Sequence, residues 1–232
     1  MSDSSNPFAS PQTDAVARPE VVWAAEQPEA LRKVKLGLTL VYIGICGMLL
    51  CVAVLAPLLM FSLGASRIEL VALLGLAVLV FSVVMLVGQI FCIAVPAESG
   101  ARPFAISAVV LEVVCLLAMV LGTIATVVGM LATVGAIGQA LANVGSVTCF
   151  LLFLRKVAQY IERPDIAARA MRALIVGVLS TIAIAVGAMG PFAPPTQGEF
   201  LGWLAILGML GALVAFVMYA NTVTYLRKAI TV

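Results

Sequence analysis

Between Phe104 and Leu154 the chain carries a single charge, Glu112. Coiled as one helix at 1.5 Å per residue, these roughly fifty residues would reach about 75 Å. The hydrocarbon core of a bilayer is only ~30 Å thick. So apolar a stretch has too little polar surface for water, and it is too long to cross lipid once. It must cross, turn back and cross again, and the glycine-rich Thr133–Gly138 is the expected turn.

The rest of the chain repeats this alternation. Hydrophobic residues make up 63% of the 232 positions and charged residues 10%, with a mean hydropathy of +1.19. Soluble domains sit near about 45–50% and 25% respectively. Six apolar runs predict helices over Leu36–Phe61, Leu70–Val95, Phe104–Ala132, Gly138–Leu154, Ala173–Gly190 and Phe200–Leu226. Each reaches or nearly reaches the ~20 residues that span a bilayer, and four exceed it. Proline, glycine and charge punctuate them at Ser62–Glu69, Pro96–Pro103, Arg155–Arg172 and Pro191–Glu199. Pro57 is placed to kink or end the first helix, and Pro164 to open the fifth at its first turn. The predicted fold is all-α: a polytopic integral membrane protein, residues 31–232, with six transmembrane helices in three hairpins. Residues 1–30 hold four prolines and little to bury, and read as a disordered cytoplasmic tail. A short interfacial helix around Val21–Ala25, with Trp23 at headgroup level, is the alternative there. No apolar core of a cleavable signal is seen in this tail.

Charge sets the expected orientation. With both termini inside, the cytoplasmic segments carry Arg18, Arg32, Lys33, Lys35, Arg102, Arg155, Lys156, Arg163, Arg169, Arg172, Arg227 and Lys228, against Arg67 alone outside. Basic residues concentrate on the cytoplasmic side of membrane proteins. One helix more or fewer would scramble this asymmetry. The turns near Gly64, Gly135 and Pro194 are then expected outside. Leu-Arg-Lys recurs at Leu31–Lys33, Leu154–Lys156 and Leu226–Lys228, always at the basic edge. Anchoring to anionic headgroups explains the recurrence better than duplication, since little else aligns between the hairpins.

Several function classes are excluded. A net charge of +2 offers no basic face to nucleic acid. Histidine is absent, which removes axial-histidine haem, histidine metal sites and histidine bases. The five cysteines, Cys46, Cys51, Cys92, Cys115 and Cys149, lie within apolar runs and read as small packing residues. No phosphate-binding loop, nucleophile elbow or paired carboxylates are present, and Glu98, Glu162 and Asp165 read as solvated loop charges. No cofactor, no metal and no enzymatic activity are expected.

Two patterns remain. Small residues recur every four positions, including Gly122 and Gly129 in the third helix, Gly138 in the fourth and Gly208 in the sixth. They are expected to let helix backbones approach closely within the bundle, with contact between copies as the alternative. The second pattern is polar. Glu112 lies about eight residues into its helix, or ~12 Å, too deep for its short side chain to reach the surface. A carboxyl there must be protonated, paired or facing water. Tyr42, Gln89 and Asn221 fall at similar depth, and Asn143 about one turn deeper. The five are expected to form one layer, either a hydrogen-bonded clasp between helices or a proton-linked site.

The leading functional expectation is a structural or accessory subunit of a membrane complex. The alternatives are a small proton-linked transporter or channel using the layer around Glu112, and a membrane anchor recruiting a cytosolic partner through residues 1–30. The expected partners are the lipid bilayer and either further copies of the chain or a membrane complex. The expected compartment is a bacterial cytoplasmic membrane.

Overall fold

The computed structural model describes residues 28–61, 65–125, 132–188 and 194–230. Among them are six long helices and no strand. These are α1 (Pro28–Phe61), α2 (Ala65–Cys92), α3 (Arg102–Ala125), α4 (Ala132–Tyr160), α5 (Pro164–Gly187) and α6 (Pro195–Ala229), with a 3-10 turn at Ala97–Ser99. All six are long and apolar enough to cross a membrane. The expected tail, with Trp23, lies outside the described residues up to residue 27, as does the turn at Gly64.

Several helices run further than the apolar runs alone indicate. α1 begins at Pro28 and continues through Pro57 to Phe61. Proline is tolerated in membrane helices because neighbouring groups satisfy the freed backbone. α2 begins before Arg67 and stops at Cys92, four residues ahead of Pro96, whose ring would clash with the Cys92 carbonyl in a continued helix. The expected turn at Thr133–Gly138 lies inside α4, so Gly135 is helical. Glycine costs a helix only about 1 kcal/mol, whereas a polar backbone group left unpaired in lipid costs several.

The charged stretch Arg155–Arg172 is two helix ends joined by three residues. α4 closes with a Schellman-type turn: the Arg163 N–H donates to the Ala158 carbonyl at 2.8 Å, and Glu162 takes the left-handed conformation at φ 55°. Glycine normally holds that position, so Glu162 carries a conformational cost of about 1–2 kcal/mol. Pro164 then opens α5 at its first turn.

The helices pack most extensively as α1 with α2, α3 with α4 and α5 with α6; α2–α3, α4–α5 and α1–α6 contacts close the ring. Glycines set the first and last of these pairs. A Cβ on Gly37 would lie 2.5 Å from the Gly88 carbonyl oxygen, and one on Gly88 would lie 2.7 Å from that of Gly37. Along α6, Ala205, Gly208, Gly211 and Ala215 face Gly187, Ile184, Ser180 and Gly177 of α5 in turn. Numbering falls on one helix as it rises on the other, so the pair is antiparallel and in close backbone contact over some three turns.

The two ends of the bundle differ. Buried large side chains gather at the basic end. α1 supplies Leu31, Val34, Leu38, Val41 and Ile45, and α6 supplies Tyr219, Val223 and Leu226, followed by Ile230 just past its end. Both sets alternate three- and four-residue steps, as helix-on-helix seams do. Phe150, Phe153, Leu154 and Val157 of α4 fill the space between. Elsewhere the surface is apolar, with Leu50, Leu76, Leu117, Leu179, Leu207 and Leu210 exposed, as lipid-facing side chains are. Exposed Trp203 and Tyr225 mark α6 at positions 22 residues apart, or about 33 Å. That matches the separation of the two aromatic belts of a ~30 Å hydrocarbon layer.

Gly208 therefore serves close approach, with a Cβ there only 2.8 Å from the Ile184 backbone nitrogen, whereas a Cβ on Gly202 of the same helix would meet nothing within 4 Å. The surroundings of Gly122, Gly129 and Gly138 lie outside the described residues. Gly208→Leu is expected to destabilise the protein by about 1–3 kcal/mol or more through overpacking, and Gly202→Leu by less than about 0.5. Thermal unfolding in detergent compares them, and equal losses would refute the close-packing account of α5 and α6.

Candidate functional site

Glu112 sits on the inner face of α3, one turn after Ala108, and α4 crosses at this level. Gly145 of α4 makes the approach possible: a Cβ there would lie 3.0 Å from Leu111 Cδ1. The next residue, Ser146, donates its hydroxyl to Glu112 Oε2 at 2.8 Å, and Ser146 Oγ also lies 3.3 Å from the Ala108 carbonyl oxygen. A hydroxyl has one proton to give, so the shorter, better acceptor takes most of it. From α2, the Gln89 amide engages the same carboxylate. Glu112 thereby ties α2, α3 and α4 together. All three side chains are withdrawn from the surface: Glu112 is 5% exposed, Gln89 1% and Ser146 0%.

A fourth helix reaches the cluster. Tyr219 of α6 is 2% exposed and lies within electrostatic reach of Glu112 and Cys92. Its ring is held edge-on by Phe150 of α4, at 6.0 Å and 74°, and by Phe216, at 6.3 Å and 84°. Such geometry sets the positive ring edge against a negative face. Two atoms in this region have no hydrogen-bond partner, Gln89 Oε1 and Tyr219 Oη. Each has the capacity for one, since the amide oxygen accepts and the phenol both donates and accepts.

Of the five residues expected in one polar layer, Glu112 and Gln89 come together and three lie elsewhere. Tyr42 is half-buried between α1 and α6; its hydroxyl faces Cys46 and Thr224, and the Arg227 guanidinium stacks over its ring at 5.4 Å. Asn143 and Asn221 are both exposed. Depth along the chain groups these five residues, but the face on which each side chain lies depends on the rotation of its helix. Successive residues turn by 100°, so Asn221 and Tyr219 point to opposite sides of α6. Tyr219 falls on the stripe it shares with Val223 and Leu226, and that periodicity was the signal for it. Ser146 falls in a series of small residues at four-residue spacing, Gly138, Ala142 and Ser146, where a serine resembles a packing residue. Its hydroxyl is what the carboxylate uses.

This arrangement can hold helices in register, and it can accept a proton at Glu112. Among the described residues no group of three or more acidic, cysteine or histidine side chains could hold a metal ion. An unpaired buried hydroxyl costs about 1–3 kcal/mol, so Tyr219→Phe is expected to leave stability unchanged or raise it. Ser146→Ala is expected to lower stability by about 1–3 kcal/mol, because Glu112 loses its donor. Thermal unfolding in lipid nanodiscs reads both. A marked loss in Tyr219→Phe would mean that the hydroxyl is engaged after all.

No protein-family model matches the chain, and no match was found among curated proteins or among solved structures.

Proposed function

We propose that the chain is a non-enzymatic, structural or accessory subunit of a membrane complex, lying in a bacterial cytoplasmic membrane with both termini on the cytoplasmic side. One observation carries the structural part of this reading. Among the described residues Glu112 is the one buried carboxylate, and its partners come from two other helices. It is spent on holding the bundle together. The orientation rests on charge. The basic residues at the start of α1, around α4–α5 and at the end of α6 share the well-packed end, and such residues favour the cytoplasmic face.

A second reading is favoured by the two unpartnered atoms. Gln89 Oε1 and Tyr219 Oη beside a carboxyl group could bond to that group once it is protonated, or to a transient ligand, as in a small proton-linked carrier. Glutamine at position 112 separates the two readings, since it keeps hydrogen-bonding capacity but cannot release a proton. The structural reading expects Glu112→Gln to keep both thermal stability and the proteins that co-purify at fixed stoichiometry after gentle extraction, and Glu112→Leu to lose both. If instead Glu112→Gln folds normally but abolishes a pH-gradient-driven flux that the wild type shows in liposomes, the carrier reading replaces it.

A further inference from the structure

Asn143 occupies an unusual place. α4 carries no charge from Ala132 to Leu154, and Asn143 lies eleven residues from each of them, about 16 Å in either direction. In a helix that crosses the bilayer, such a position falls near the middle of the ~30 Å hydrocarbon layer. The side chain is nevertheless exposed, and no hydrogen bond to it is found among the described residues. Asn221 is exposed too, but it lies only six residues, about 9 Å, from Arg227, near enough to the headgroup region for water to serve it. Asn143 is too deep for that. An amide with two donors and an acceptor facing hydrocarbon has nothing to bind, and such groups in membrane helices are satisfied by another helix.

We propose that α4 is a self-association surface and that two copies of the chain pair through Asn143. Every copy inserts with the same orientation, so the group that a second copy presents at the depth of Asn143 is Asn143 itself. A carboxamide is self-complementary, because each can donate to the other's oxygen. The symmetry that does this is a two-fold axis along the membrane normal, with the two α4 helices parallel at the contact. Any other membrane protein would need a polar group matched to the centre of the bilayer. Val144 and Val147 adjoin Asn143 on α4, each only partly covered by its own bundle, and are the side chains that would pack beside the amide pair.

Disulfide cross-linking in native membranes tests this with Asn143 intact. Val147→Cys, in the full chain with the five native cysteines replaced by alanine, is expected to yield a cross-linked dimer. Ile182→Cys on exposed α5 is the control for random collision. Adding Asn143→Leu, which keeps size and suits lipid, is expected to cut the Val147→Cys cross-link at least fivefold while thermal unfolding stays unchanged. Single-molecule photobleaching of labelled protein in bilayers should move from two steps to one in the same variant. The proposal is overturned if Val147→Cys cross-links no better than Ile182→Cys, if it cross-links to a different protein, or if the dimer survives Asn143→Leu undiminished.

Discussion

Lipid offers no hydrogen bonds, and that constraint shapes each level of this structure. It keeps α4 helical through Thr133–Gly138, because ending the helix there would leave backbone groups unpaired. It permits Pro57 within α1. It also obliges Glu112 to find its partners inside the bundle, where Ser146 and Gln89 supply them. In water a surface glutamate would be solvated and would say nothing about the fold. Inside an apolar bundle, the same residue dictates which faces of α2, α3 and α4 meet.

Apolar contact gives membrane helices no net drive to associate, since lipid tails are as apolar as leucine. The work falls to close backbone approach and to polar contacts, and the structure divides it between hairpins. The α1–α2 and α5–α6 pairs are set by glycines at Gly37, Gly88, Gly187 and Gly208, where an added Cβ would strike backbone. The α3–α4 pair combines one glycine, Gly145, with the Ser146–Glu112 bond. The aromatic stack of Phe150, Tyr219 and Phe216 then draws α6 onto α4. Polar clasp and buried aromatic core occupy the same basic half of the bundle, whereas much of the remaining surface is large apolar side chains turned outward.

Much of this architecture could be read from the residues. Charge-free length fixed the need for repeated crossings, and Pro96, Pro164 and the prolines after Gly190 punctuate the chain where helices begin or end. The helix ends were less legible. Arg155–Tyr160 and Pro164–Arg172 lie outside the apolar runs, which stop at Leu154 and resume at Ala173, so hydropathy alone does not mark where these helices end. Yet arginine, lysine, glutamine and alanine are good helix formers that continue a helix beyond the lipid. At the site, Glu112 stood out because a carboxylate cannot hide in an apolar run. Its partners did not. A serine in a series of small residues and a glutamine among valines become partners only once the rotation of each helix about its axis is known, and depth along the chain carries no information about rotation. Asn143 and Asn221 illustrate the same limit from the other side: they are polar residues at plausible depth that lie exposed on the surface of the bundle.

The central claim is that the Glu112–Ser146 contact is an energetic lock between α3 and α4. A double-mutant cycle with Glu112→Leu, Ser146→Ala and the combined variant, followed by unfolding in lipid nanodiscs, measures that coupling directly. A lock predicts that the double variant loses less stability than the two single variants added together, with a coupling of about 1–3 kcal/mol. Strict additivity would mean that the two side chains are neighbours without being partners, and the account given for the bundle would fail at its centre.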